Sequence, residues 1–221
     1  MITLNRRRYM GGGASPSYDE NSYIQDGLVF QLDGINKGSN EGKWTDLVGG
    51  VQFTIPNSEY ITENTNGFTW TAKVNMPVYS GTIPSGESCT VEVAMIRTGN
   101  DNIWGAFASA ANNTLGTVVI AIFRNNFIVI NRKNTLPASN IPVNQFTTVS
   151  MNAIYACVNK VEKTLSSTTD YISATAAGVG SVYGGYQGML GTIYAIRIYN
   201  RQLTVAEMQF NQEVDIKRFG I

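Results

Sequence analysis

The sequence predicts an all-β protein that ends in one short α-helix. Three features carry this reading. Charged residues make up 14% of the 221 positions, against about 25% in ordinary globular chains. Gly, Asn, Thr and Ser are plentiful instead, the composition of many strands joined by uncharged turns. Apolar and β-branched runs of strand length recur between turn-forming residues, and helix-start chemistry is recognisable near the C-terminus, at Thr204 to Glu207. A chain of this size can bury roughly 70% of its unfolded surface, so its core needs no disulfide staple.

In chain order, Leu28, Phe30 and Leu32 alternate with Val29, Gln31 and Asp33, the pattern of a half-buried strand. Further strands are expected near 51–55, 67–74, 88–97, 103–108, 116–123, 126–131, 146–151, 153–159 and 191–199. Arg124-Asn125-Asn126 separates two strongly apolar runs, so 116–131 reads as a hairpin. Both of its faces are apolar, which suits a central place in a covered sheet or a contact between copies. Asn159-Lys160 is a turn signal. In the last strand Ile193, Ile196 and Ile198 do not alternate cleanly, so either both faces are covered or a bulge shifts the register. Asn200-Arg201 then turns the chain. Thr204 and Glu207 have the spacing of a capping box, and Leu203 and Met208 that of a hydrophobic staple. The chain becomes polar near Asn211, so the helix is expected to run two or three turns and to need a surface to dock on.

This ending resembles that of the laminin G-like, concanavalin A-like jelly-roll family. Its pattern is matched by Gly191, Ile193, Ile196, Arg197, Ile198, Tyr199, Asn200, Arg201, Leu203, Thr204 and Glu207. The family's acidic pair after the first Ile is replaced here by Tyr194 and Ala195. GLVFQLDGIN from Gly27, WTDLVGGVQF from Trp44 and SCTVEVAMIR from Ser88 are similar to its opening strand, its Trp-x-Asp-Leu-x-Gly turn and the strand after its first crossover. The resemblance implies a two-sheet antiparallel jelly-roll β-sandwich of concanavalin A-like type over residues 22–221. It is specific for fold and poorly specific for function, since one sandwich hosts lectins, glycanases, adhesion modules and virion proteins.

Composition removes several functions. The formal net charge is zero, which argues against a general grip on nucleic acid. No window has the length of a membrane-spanning helix, so membrane insertion is not expected. There is no histidine, which removes the Ser-His and Cys-His nucleophile pairs and His metal ligands. Cys89 shares a strand face with Val91, Val93 and Met95, and it and Cys157 read as buried thiols, with a bridge left open. Residues 1–21 carry Arg6-Arg7-Arg8 and then Gly11-Gly12-Gly13, without the apolar stretch of a secretory signal. They read as a flexible basic arm, and they resemble the starts of some phage and prophage structural proteins. An extracellular or virion-associated setting is favoured on these grounds, with self-association or virion partners as possibilities to test.

Three kinds of site are compatible with such a fold. Glycanases of the resembled fold carry Glu-x-Asp-x-x-Glu on one strand. Glu87 and Glu92 are five apart here, so a regular strand points them to opposite faces, and no catalytic residue is expected. Asp33, Asp46, Asp101 and Asp170 could lend oxygen to a structural calcium, yet no Asp-x-Asp spacing occurs. Asp33 before Gly34, and Asp46 two residues after Trp44, suit turn-making instead. No cofactor or metal is therefore assigned. A glycan platform needs exposed aromatic rings beside polar groups. Asp101, Asn102 and Trp104 in one loop, with Tyr183 and Tyr186 in a Gly-rich one, are the expected ligand-binding residues, while Trp44 and Trp70 read as core. The expectation is a non-catalytic carbohydrate-binding or adhesion module, with a phage structural protein as the alternative and a glycoside hydrolase behind both.

Overall fold

In the computed structural model, residues 19–38, 42–55, 59–72, 78–80, 89–98, 104–111, 114–123, 127–130, 134–167, 176–179 and 190–220 are described. The chain first forms β1 (Leu28–Asp33), β2 (Lys43–Thr45), β3 (Gln52–Thr54), β4 (Ile61–Asn64), β5 (Gly67–Trp70), β6 (Val78–Ser80), β7 (Thr90–Arg97), β8 (Trp104–Ala111) and β9 (Thr114–Phe123). There follow β10 (Phe127–Ile130), β11 (Asn134–Pro137), β12 (Phe146–Met151), β13 (Ala156–Val158), β14 (Val161–Lys163), β15 (Ser166–Ser167), β16 (Ala176–Val179), β17 (Gly191–Tyr199) and the helix α1 (Val205–Phe219). One sheet runs β14-β13-β12-β7-β17-β5-β4, with β1 also on β17; the other runs β15-β11-β10-β9-β8-β16-β6. β2 and β3 pair apart from both, and the described strand pairs are antiparallel, so the whole is a two-sheet antiparallel β-sandwich with one small extra hairpin and one C-terminal helix.

Alternation sorts the first sheet into two faces. Phe30, Leu32, Val91, Val93, Met95, Val149, Met151, Ile196 and Ile198 point inward and join Trp44, Phe68 and Trp70 in the core. Both tryptophans are fully buried, as their sequence setting suggested. Cys89 lies in the same core, and Cys157 is buried on the opposite face; both are free thiols. In the second sheet β9 and β10 form the expected hairpin, Phe123 opposite Phe127, with β9 near the centre of the sheet.

Strand β17 organises the first sheet. Its free edge is shared: β5 pairs with Gly191–Ile193, and β1 pairs with Ala195–Tyr199. The hand-over falls where the register with β7 shifts, between Ile193 and Ala195. Two glycines permit it. A Cβ on Gly67 would stand 2.1 Å from the Ile193 carbonyl oxygen, and one on Gly34 2.0 Å from that of Asn66. Both explanations for the broken alternation of β17 therefore hold at once. The strand bulges, and α1 covers its outer face, burying Arg197 and Tyr199.

The helix corrects the expectation of two or three turns. It runs 15 residues, from the N-cap Thr204 to Gly220 in the left-handed conformation at its end. The capping box is formed in both directions, and Leu203 and Met208 are buried together. Asn211, Gln212 and Asp215, whose polarity suggested a helix end, are buried on the sheet-facing side. The expected strand 153–159 is likewise corrected: 153–155 is a turn, and β13 begins at Ala156. Asn159 and Lys160 both adopt positive φ, at 48° and 66°, as a two-residue hairpin loop between β13 and β14 requires. Residues 19–21, assigned to the arm by the sequence, are hydrogen-bonded to the rest: the Glu20 carbonyl accepts from Gln31, and its carboxylate from Asn36 and Arg218.

Candidate ligand-binding site

Of the residues expected to bind a ligand, Asp101, Asn102, Tyr183 and Tyr186 lie outside the described residues. Trp104 opens β8, with its Cα opposite Ile122 of β9. Asp33 and Asp46 make turns. Asp33 accepts from the Ile35 and Asn36 amides at 2.9 and 2.7 Å, and Asp46 from Gln31, Val48 and Gly49 at 2.7, 3.0 and 2.8 Å. Burial pushes the Asp46 carboxyl up against the pull of those amides. Asp101 and Asp170 lie outside the described residues, among which no group of three potential metal ligands occurs.

The strand register lines up a polar row on the outer face of the first sheet. Glu162 of β14 stands opposite Cys157, Cys157 opposite Ser150, Ser150 opposite Glu92, Glu92 opposite Arg197, and Arg197 opposite Gln31. Helix α1 covers its middle. The Glu92 carboxylate accepts from Ser150 at 2.8 Å, Arg197 Nε at 2.8 Å and Asn211 at 2.9 Å. Asp215 receives both terminal nitrogens of Arg197 at 2.8 and 2.7 Å, and the Tyr23 hydroxyl at 2.9 Å. The Tyr23 ring lies against the Arg197 guanidinium, 3.9 Å from centroid to Cζ.

Ser150 accepts from Gln212 Nε2 and donates to Glu92; Gln212 Oε1 accepts from the Lys160 amide and the Cys157 thiol. Two carboxyl groups, Glu92 and Asp215, thus converge on one guanidinium. Burial raises the Glu92 pKa, and Arg197 opposes it. Burial alone would lower Arg197, but Asp215 and Glu92 outweigh it and hold the guanidinium well above its ordinary value. Burial, then Glu92 and Glu162, raise the Cys157 thiol to about 11, so it stays protonated. A glycosidic bond needs two carboxyls flanking an open cleft. Glu92 and Asp215 are 1% exposed with Arg197 between them, so this pair cannot flank a sugar.

The row emerges from under the helix at Glu162. There, β14, an edge strand, and the β12–β13 turn border an open depression of about 500 Å³, lined by Ile154, Tyr155, Glu162, Lys163, Thr164 and Leu165. Asn152 builds the turn. Its side-chain oxygen accepts from the Ile154 and Tyr155 amides at 2.8 and 2.7 Å, while its Nδ2 donates to the Leu203 carbonyl at 2.8 Å, tying the turn to the helix start. Ile154 is thereby left 58% exposed and Tyr155 37%. Among the described residues Glu162 and Lys163 are the charged side chains that engage no partner, and the Tyr155 hydroxyl is free as well. Sequence reasoning missed this place because it put Tyr155 within a strand. An Asn closing the run Phe146–Met151 was the available signal for a side-chain-built turn.

Comparison with known proteins places the fold. No protein-family model and no curated protein sequence matches the chain. Among solved structures, a Trypanosoma rangeli sialidase in complex with sialic acid superposes with a TM-score of 0.61 at 12% identity, over 84% of this chain and 32% of that one. The botulinum neurotoxin serotype D binding domain superposes with a TM-score of 0.60 at 13% identity, over 87% of this chain and 52% of that one. The chain therefore spans about a third of the sialidase and about half of the toxin chain. At this identity the likeness is one of fold, and it agrees with the antiparallel sandwich. No described helix is long and apolar enough to cross a membrane.

Proposed function

We propose that this protein is a non-catalytic carbohydrate-binding or adhesion module. One observation carries the reading: the sandwich holds an open depression with an exposed aromatic ring and uncommitted polar groups beside it. Aromatic faces stack on the apolar face of a sugar, while carboxylates and ammonium groups take its hydroxyls. A solved sialidase with bound sialic acid and a toxin binding domain share the fold, which supports a sugar-directed role without naming a ligand. The sealing of Glu92 and Asp215 supports the non-catalytic part. The test is a glycan array followed by calorimetry on the full chain, with Tyr155→Ala, Trp104→Ala, Tyr183→Ala and Tyr186→Ala variants. Binding is expected, and its loss in at least one of the four; no binding to any glycan would overturn the proposal.

A structural role in a phage particle is the alternative, resting on Arg6-Arg7-Arg8 ahead of the anchored segment at Glu20. Light scattering with and without residues 1–21 tests it. Self-association that depends on those residues supports this alternative, and a monomer in both forms opposes it.

A further inference from the structure

We propose that the depression at the β14 edge binds a neutral pyranose with vicinal hydroxyls, gripped by Tyr155, Glu162 and Lys163; this rests on the carbohydrate-binding reading above. Elsewhere among the described residues each carboxylate, ammonium and guanidinium is engaged: Lys37 with Glu63, Arg201 with Asp26 and Glu207, Lys160 and Lys217 with Glu213, Arg218 with Asp33 and Glu20. Glu162 and Lys163 are the exceptions, and they adjoin at one concave place.

Register explains why they do not pair with each other. Glu162 stands opposite Cys157, on the helix-covered face, and Lys163 opposite Ala156, whose side chain is in the core. Neighbours in a strand point to opposite sides. An acceptor and a donor thus flank the strand edge, with Ile154 and Tyr155 at its end. Adjacent hydroxyls of a pyranose can use both: one donates to the carboxylate, the next accepts from the ammonium, and the C–H face of the ring lies against tyrosine.

The same charges argue against other occupants. A charged side chain on each face of an edge strand opposes the addition of another strand, whether from a peptide or from a second copy. A two-fold pairing of β14 centred on Glu162 would set carboxylate against carboxylate. An acidic sugar would meet Glu162 at its own charge, and a lining of one carboxylate and one ammonium offers no net attraction to an anion.

The experiment is calorimetric titration of the full chain with neutral oligosaccharides and with their uronic-acid and sialylated counterparts, at low and at about 0.5 M salt. It is repeated with Tyr155→Ala, Glu162→Gln and the half-buried Lys163→Gln, each first checked for an unchanged melting temperature. The expected result is binding of a neutral glycan with little salt dependence, weakened about tenfold or more by Tyr155→Ala and by Glu162→Gln. Neutral binding that survives all three substitutions overturns this site and leaves the carbohydrate-binding reading standing. Binding confined to acidic glycans, with a steep salt dependence, overturns the ligand class. Dimerisation through β14 overturns the argument from edge charge, and no glycan binding at all overturns both proposals.

Discussion

Arg197 is the residue on which the outer face of the first sheet depends. It joins Glu92 of β7 to Asp215 of α1 at 1% exposure. Removing one partner of a buried pair leaves the other charges uncompensated, which typically costs about 3–5 kcal/mol. Arg197→Met is therefore expected to lower stability by about that much in urea unfolding, with two carboxylates left facing each other under the helix. A loss within experimental error would mean that water reaches the cluster. Glu207 makes a second, pH-dependent prediction. Arg201 first, and then the Thr204 groups, pull its pKa from 4.5 to about 2. A depressed carboxylate stabilises the fold above the unfolded value, and the contribution disappears as pH falls from about 4.5 through about 2. Glu92 has the opposite sign, because its pKa is raised by burial and its ionisation opposes folding. Glu92 is common to the native chain and to Glu207→Gln, so the difference between their melting temperatures isolates the cap. That difference is expected to be constant above about pH 5 and to shrink toward pH 2; a gap that does not change with pH would contradict the assignment.

The elements differ in how far their sequences disclose them. β12 and β17 run over 146–151 and 191–199, as their apolar patterns indicate, and the start of α1 follows from Thr204, Glu207, Leu203 and Met208. The length of α1 was hidden. Asn211, Gln212 and Asp215 repeat at helical spacing, but their buried face is polar, and its partners lie on other elements: Arg197 on the preceding strand, and Glu92 and Ser150 far away in sequence. Strands of two to four residues, such as β2, β4 and β15, are too short for a periodic signal and exist through their pairing. The depression was hidden for a related reason, since Tyr155 is exposed by a turn that Asn152 builds. The hand-over on β17 gives an element-scale prediction. A methyl at Gly67 would meet the Ile193 carbonyl at 2.1 Å, which backbone on both sides prevents from yielding. Gly67→Ala is expected to cost more than the about 1–3 kcal/mol of ordinary overpacking, and to lower the melting temperature more than an alanine at Gly42 or Gly50, which meets no neighbour and carries only the strain of a positive φ, 70° or 73°. Equal effects at the three glycines would show that β5 can shift along β17.

On the scale of the whole molecule, the two ends of the described chain close over one polar cluster. The segment from Glu20 to Ile24 lies across α1: Tyr23 donates to Asp215, the Ile24 amide to Asn211, and Arg218 to Glu20, while Tyr199 of β17 donates to the Ile24 carbonyl. The helix is held in turn by Asn211 on Glu92 and by Gln212 on Ser150 and the Cys157 carbonyl. Neither layer is satisfied without the other, because lifting the N-terminal segment removes a donor from Asp215 and the ring from Arg197. Two elements that complete each other's hydrogen bonds open as one unit. Tyr23→Ala removes both the hydroxyl and the ring, and native-state hydrogen exchange then reads the consequence. Amides of residues 19–25 and of 205–219 are expected to lose protection together and by similar factors, while those of β7 and β12, in the middle of the sheet, keep theirs. Loss confined to residues 19–25 would show that α1 is held by the sheet alone, with the N-terminal segment as a cover on a helix already secure.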